Sequence, residues 1–247
     1  MLILKDGVWG HHHNSTLDFY EIPIDSPSAY KGNLERLPGD WEYRTKSVNY
    51  KYNSAGHRSI DLKDVQKNYL LFTGCSFTEG VGVSYDDMYS TKIANQLGKQ
   101  HYNLGLGGSG VDLLVHNLIM FLTLIKIKPS AVFIQWPDFN RYLTVEQNGL
   151  ELWGIVNTAS NNDKLFKLTE ELSTFKNLNL YYRQILLTYL KSVRIPYHEI
   201  WFNNMSWVDT DKTTKLEIVD RARDLMHPGS KSNDILAKQI IKQFELM

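Results

Sequence analysis

From Tyr69 onward, short apolar runs alternate with segments of helical period, and this alternation restricts the chain to a parallel sheet covered by helices. Within the strand candidates Tyr69–Thr73 and Ala131–Trp136, positions 69–72 and 131–134 are apolar consecutively rather than alternately, the pattern of strands buried on both faces. His101–Leu104 and Pro196–Phe202 read as further strands. Between them, Ser84 with Asp87 three residues on resembles a helix start. Met88, Ile93, Ala94 and Leu97 form the buried face of that helix, and Gly98 suits its stop. Helices are also predicted over Val111–Lys126, about Leu178–Val193, and Ser232–Leu246, where Ile235, Leu236, Ile240 and Phe244 share one face. The expected fold is a three-layer α/β/α sandwich, flavodoxin-like, with a parallel sheet of about five strands.

Two segments fall outside this scheme. Residues 1–66, rich in Tyr, Trp, Pro and Asn, have weak periodicity and read as an irregular N-terminal extension packed on a domain of residues 67–247. Between Tyr142 and Trp153, alternating residues flank Asn148-Gly149, a tight β-hairpin signal.

Composition narrows the function classes. Lys plus Arg and Asp plus Glu are 27 each, so no excess of positive charge argues for nucleic acid or an anionic membrane. The single cysteine, Cys75, excludes an internal disulfide and a multi-cysteine zinc site. His11-His12-His13 has no spaced carboxylate or cysteine partner, so no metal site is read from it. Met1–Gly7 has no apolar stretch of secretory length, and the run Val111–Ile125 is interrupted by Asp112, His116 and Asn117. A protein made without a cleaved signal, cytoplasmic or otherwise soluble, is expected, with no membrane insertion.

The chemistry is concentrated in loops. In open α/β sheets, ligands bind beyond the carboxyl ends of the strands. Three loops leave those ends, 74–80, 105–110 and 136–141, and Asp224-Leu-Met-His227-Pro228 precedes the last helix. A serine becomes a nucleophile when a histidine takes its proton and a carboxylate orients that histidine. Ser76, His227 and Asp224 supply the three groups. On its own Ser76 suits a helix cap, and the glycine-rich loop suits a tight turn or phosphate cradle, though it lacks the P-loop lysine. The Gly-x-Ser-x-Gly elbow is absent, because Phe77 and Thr78 follow Ser76.

Gly74-Cys-Ser-Phe-Thr-Glu-Gly80 resembles the first block of the SGNH (GDSL-like) hydrolases, Asn103-Leu-Gly-Leu-Gly-Gly108 their second, and Asp224-Leu-Met-His227 their last. Asn53-Ser-Ala-Gly56-His-Arg58 is similar to a segment that precedes the first block in some members. The resemblance implies a serine esterase with Ser76 as nucleophile, His227 as base and Asp224 orienting it. The backbone N–H groups of Ser76 and Gly108 would form the oxyanion hole. The third block departs: where the family has Gly-x-Asn-Asp, this chain has Ile134-Gln-Trp-Pro-Asp138, and Asn140 is the nearest candidate for the third donor. Trp136 and Trp207 are candidates to line a substrate groove, with core packing as the alternative. The resemblance implies small acyl esters, O-deacetylation of a carbohydrate first among them, and no metal or organic cofactor. Acyl transfer to a sugar or other alcohol, and a degenerate domain that binds glycan without turnover, are the alternatives.

Overall fold

The computed structural model describes residues 3–5, 8–20, 25–137, 141–145, 153–157, 174–202 and 213–244. Before the main sheet lie two antiparallel two-stranded ladders, β1 (Ile3–Lys5) with β2 (Val8–Gly10) and β3 (Thr16–Leu17) with β4 (Tyr50–Lys51). A helix, α1 (Pro27–Arg36), lies between β3 and β4 in the chain. Its start follows from local chemistry: Ser26 Oγ accepts the Ala29 amide at 3.2 Å, and Pro27 takes the first position, where a missing N–H costs nothing.

The main unit then alternates β5 (Leu70–Thr73), α2 (Ser76–Glu79), α3 (Tyr89–Gln96), β6 (His101–Asn103), α4 (Val111–Leu124) and β7 (Ala131–Gln135). It continues through β8 (Arg141–Val145), β9 (Trp153–Asn157), α5 (Thr174–Ser192), β10 (Tyr197–Trp201), β11 (Thr213–Lys215) and α6 (Ser230–Phe244). Five parallel strands form one sheet in the order β6-β5-β7-β10-β11. In chain order this is 2-1-3-4-5, the flavodoxin-like winding. The result is a three-layer α/β/α sandwich.

The period of two along each strand sorts the core into two halves. Tyr69, Leu71, Val132 and Ile134 face one way and pack with Leu114, Leu118 and Phe121 of α4 and Leu186 and Leu190 of α5. Leu70, Phe72, Ala131 and Phe133 face the other way, against Ile93 and Ala94 of α3 and Leu236, Ile240 and Ile241 of α6. The Phe72 and Phe133 rings stack across the two central strands at 4.7 Å. Burial on both faces is why these strands carry unbroken apolar runs.

Several boundaries differ from the sequence expectation. Ser84 heads a single 3₁₀ turn, Tyr85–Asp87, and the helix proper begins at Tyr89. Asp87 is tied down rather than solvated: Ser84 Oγ donates to it at 2.5 Å, and Lys46 of the extension pairs with it at 2.6 Å. At α6, Asp220 lies outside the helix and accepts the amides of Lys231 at 2.9 Å and Ser232 at 2.7 Å, so the helix begins two residues ahead of Ser232. The fifth strand, β11, is three residues paired beside β10, too short to show a period. β8 and β9 pair antiparallel as far as Val145 and Trp153, while Asn148-Gly149 lies outside the described residues. Among the described residues no helix is long and apolar enough to cross a membrane.

Candidate active site

Ser76 sits where β5 hands the chain to α2, at the point where the strand order reverses between β5 and β7. The turn is tight. A Cβ on Gly74 would lie 2.2 Å from Thr78 Oγ1 and 2.8 Å from Gln135 Oε1, so only glycine fits. Gln135, at the end of β7, accepts the Cys75 amide at 3.1 Å and so fastens the turn to the neighbouring strand. Cys75 itself is a small packed residue, 4% exposed.

His227 reaches Ser76 from the other side. An isolated bridge between Arg221 and Pro228 closes the base of its loop, and the Ala222 amide donates to His227 O at 2.9 Å. Within the loop Leu225 takes a left-handed conformation, φ 63°, a region that residues other than Gly, Asn and Asp rarely occupy. That reversal lets Asp224 Oδ1 accept the amides of both Met226 and His227 at 3.0 Å. Asp224 Oδ2 is hydrogen-bonded to His227 Nδ1, and His227 Nε2 lies 2.8 Å from Ser76 Oγ. A carboxylate only accepts, so Nδ1 donates to Asp224, and Nε2 is left to accept the Ser76 hydroxyl. Burial pushes the Asp224 carboxyl up, but the hydrogen bonds and charge of His227 outweigh it and hold the group below its ordinary value. The Phe77 ring stands edge-on to the imidazole at 5.4 Å and to Phe202 at 4.8 Å, walling one side.

The glycine-rich loop after β6 is tied to the same turn. The Leu106 amide and Ser109 Oγ both donate to Gly74 O, at 3.0 and 3.3 Å. Asn103 Nδ2 donates to Thr78 O at 2.7 Å while its Oδ1 accepts the Gly105 amide at 2.8 Å. Glu79, 1% exposed, accepts the Gly107 amide at 2.5 Å and the hydroxyls of Tyr20 and Tyr52 at 2.9 Å each. Gly108 has φ 77°, which glycine adopts without strain. Among the described residues no acceptor engages the amides of Ser76 or Gly108.

Other expected residues fare differently. Trp136 does not line a groove: it is 1% exposed, stacks on Trp201 at 5.8 Å and donates its indole N–H to Glu199 at 2.8 Å. Asn140 and Trp207 lie outside the described residues. Gln135, within the departed third block, turns its amide N–H to Trp136 O at 2.6 Å rather than toward Ser76. The histidine tract is packed against Tyr20, with the His11 ring 6.1 Å from it, and among the described residues no cluster could hold a metal ion. Sequence reasoning missed Arg223 and Asp25, and Gln135 stood in the quoted third block without a role. Glu79 and Asn103 fell inside quoted blocks without a role.

No family model matches the sequence, and no curated protein matches it. Solved structures similar to the chain include an acetyl xylan esterase from the rumen bacterium Butyrivibrio proteoclasticus, at 17% identity and TM-score 0.49. That alignment covers 74% of this chain and 64% of the esterase, under two thirds of its length. A family two carbohydrate esterase from Clostridium thermocellum, in complex with cellohexaose, aligns at 11% identity and TM-score 0.40, over 74% of this chain and 65% of that one. A member of the lipolytic G-D-S-L family from Veillonella parvula aligns at 14% identity and TM-score 0.37, over 72% of this chain and 99% of that one.

Proposed function

We propose that the chain is a serine esterase that cleaves small acyl esters through an acyl-enzyme, with an O-acetylated carbohydrate as the substrate class. The observation that supports it is the run of contacts from Ser76 Oγ to His227 Nε2, 2.8 Å, and from His227 Nδ1 to Asp224. Ser76 Oγ attacks the ester carbonyl as His227 Nε2 takes its proton, and Asp224 stabilises the imidazolium that forms. The tetrahedral oxyanion is met by the amides of Ser76 and Gly108, which carry no other acceptor among the described residues. Collapse breaks the bond to the alcohol, which leaves with the proton from Nε2–H. Water then adds to the acyl-enzyme by the same steps in reverse roles, releasing the acid and restoring the Ser76 hydroxyl.

A fluorophosphonate probe and p-nitrophenyl acetate test this together, with acetate release from acetylated xylan testing the substrate class. The wild type should be labelled and should turn over both esters, and Ser76→Ala should do neither. A folded wild type that resists the probe would overturn the reading.

A further inference from the structure

The residue before Asp224 is held almost wholly by the N-terminal segment. Arg223 is 5% exposed, and its Nε and Nη2 donate to the two oxygens of Asp25 at 2.9 and 2.8 Å. Nη1 donates to Val48 O at 3.0 Å, and Nη2 also reaches Asp18 O at 2.6 Å. The Arg223 carbonyl accepts Asn33 Nδ2 at 3.0 Å, and its amide donates to Gly82 O at 3.0 Å. Asp25 has a second link: Tyr50 donates its hydroxyl to it and accepts the Gly82 amide at 2.8 Å. Gly82 in turn lies against the carboxylate, since a Cβ there would be 3.1 Å from Asp224 Oδ1. The fixings therefore reach Asp224 both through the backbone of the residue before it and across space.

We propose that Arg223, clamped by Asp25, is a positioning residue that holds the Asp224–His227 pair on Ser76. The N-terminal segment then completes the active site instead of only covering the sheet. The proposal rests on the esterase reading for its kinetic consequence, though not for its geometry. A left-handed Leu225 inside the loop makes such a clamp necessary, because a sparsely populated conformation persists only where its surroundings over-determine it. A bidentate guanidinium–carboxylate pair is the fixing with the most directional constraint, and lysine cannot reproduce it.

The proton between His227 Nδ1 and Asp224 can be followed directly as a far-downfield proton resonance, assigned by its loss in Asp224→Asn. In Arg223→Lys and Asp25→Asn that resonance should shift upfield or broaden. The same variants should lose about 10- to 100-fold in kcat with KM held within about twofold, the pattern of displaced catalytic groups. In an Asp224→Asn background Arg223→Lys should cost nothing more, because the residue acts through the one already removed. If either variant fails to fold, Tyr50→Phe loosens the same clamp by one hydroxyl and should show a smaller change of the same kind. An unaltered resonance and kcat in folded variants would overturn the proposal. A wild type that resists the fluorophosphonate, yet shows the resonance shifted or broadened in Arg223→Lys, would support the clamp and overturn the esterase reading.

Discussion

Glu79 accepts the amide of Gly107 at 2.5 Å, so a side chain three residues beyond Ser76 holds the residue next to Gly108. One buried carboxylate thus ties the turn of the proposed nucleophile to the loop of the proposed oxyanion donor. Its remaining bonds go to Tyr20 and Tyr52, both from the N-terminal segment.

Replacing Glu79 by alanine should free the glycine-rich loop from the serine turn. We expect kcat to fall tenfold or more with KM little changed, short of the roughly 10²–10³ that deleting a donor outright costs. Steady-state kinetics on p-nitrophenyl acetate, alongside a thermal melt, gives the answer. Full kcat in the folded variant would remove Glu79 from the site.

Gly82→Ala should damage stability and activity together. The position has φ 80°, and the new methyl would lie 2.6 Å from Ala222 Cβ and 3.1 Å from Asp224 Oδ1. Alanine at a positive φ costs more than about 1 kcal/mol before any clash is counted. Chemical denaturation and probe labelling of one preparation measure both effects, and an unperturbed midpoint would contradict the contact.

His101 and His198 make stability depend on pH. Burial pushes each imidazole from 6.5 down to about 4, so the folded protein keeps them neutral where the unfolded chain would protonate them. Their contribution is fully present above pH 6.5, is lost progressively as pH falls toward about 4, and levels off below that. At full effect each ring adds a slope of about 1.4 kcal/mol per pH unit within that window. Urea unfolding at several pH values should show a smaller slope in His198→Asn than in the wild type, and identical slopes would refute the assignment.

Trp136→Phe should act on stability and leave substrate binding alone. It removes the indole donor from Glu199, which keeps both bonds from Arg183 at 2.6 and 2.8 Å. A loss of about 1–3 kcal/mol is expected from that buried hydrogen bond. A raised KM at unchanged stability would instead return Trp136 to a substrate groove.

The pieces read correctly from sequence are those whose physics is local. β5 and β7 are buried on both faces, and that alone dictates unbroken apolar runs such as Leu70–Phe72 and Ala131–Ile134. Asp224 and His227 are legible as a pair because three residues of spacing is what an Asp needs to accept the His amide and face its ring. β11 escaped because three residues carry no period. Trp136 was ambiguous because an aromatic at a strand end suits a groove as well as a core, and only Glu199, 63 positions away, decides between them. Arg223 gave no signal at all, since nothing near it in the chain announces a partner at Asp25.

Asp25 and Arg223 stand 198 positions apart, and bringing them together closes a loop made of most of the chain. Such closures come late in folding, because their entropy is lost before many contacts reward it. The sheet and its helices can therefore be complete while the histidine loop still wanders. On refolding, recovery of the proposed esterase activity should lag behind recovery of secondary structure, and on warming it should be the first property to go.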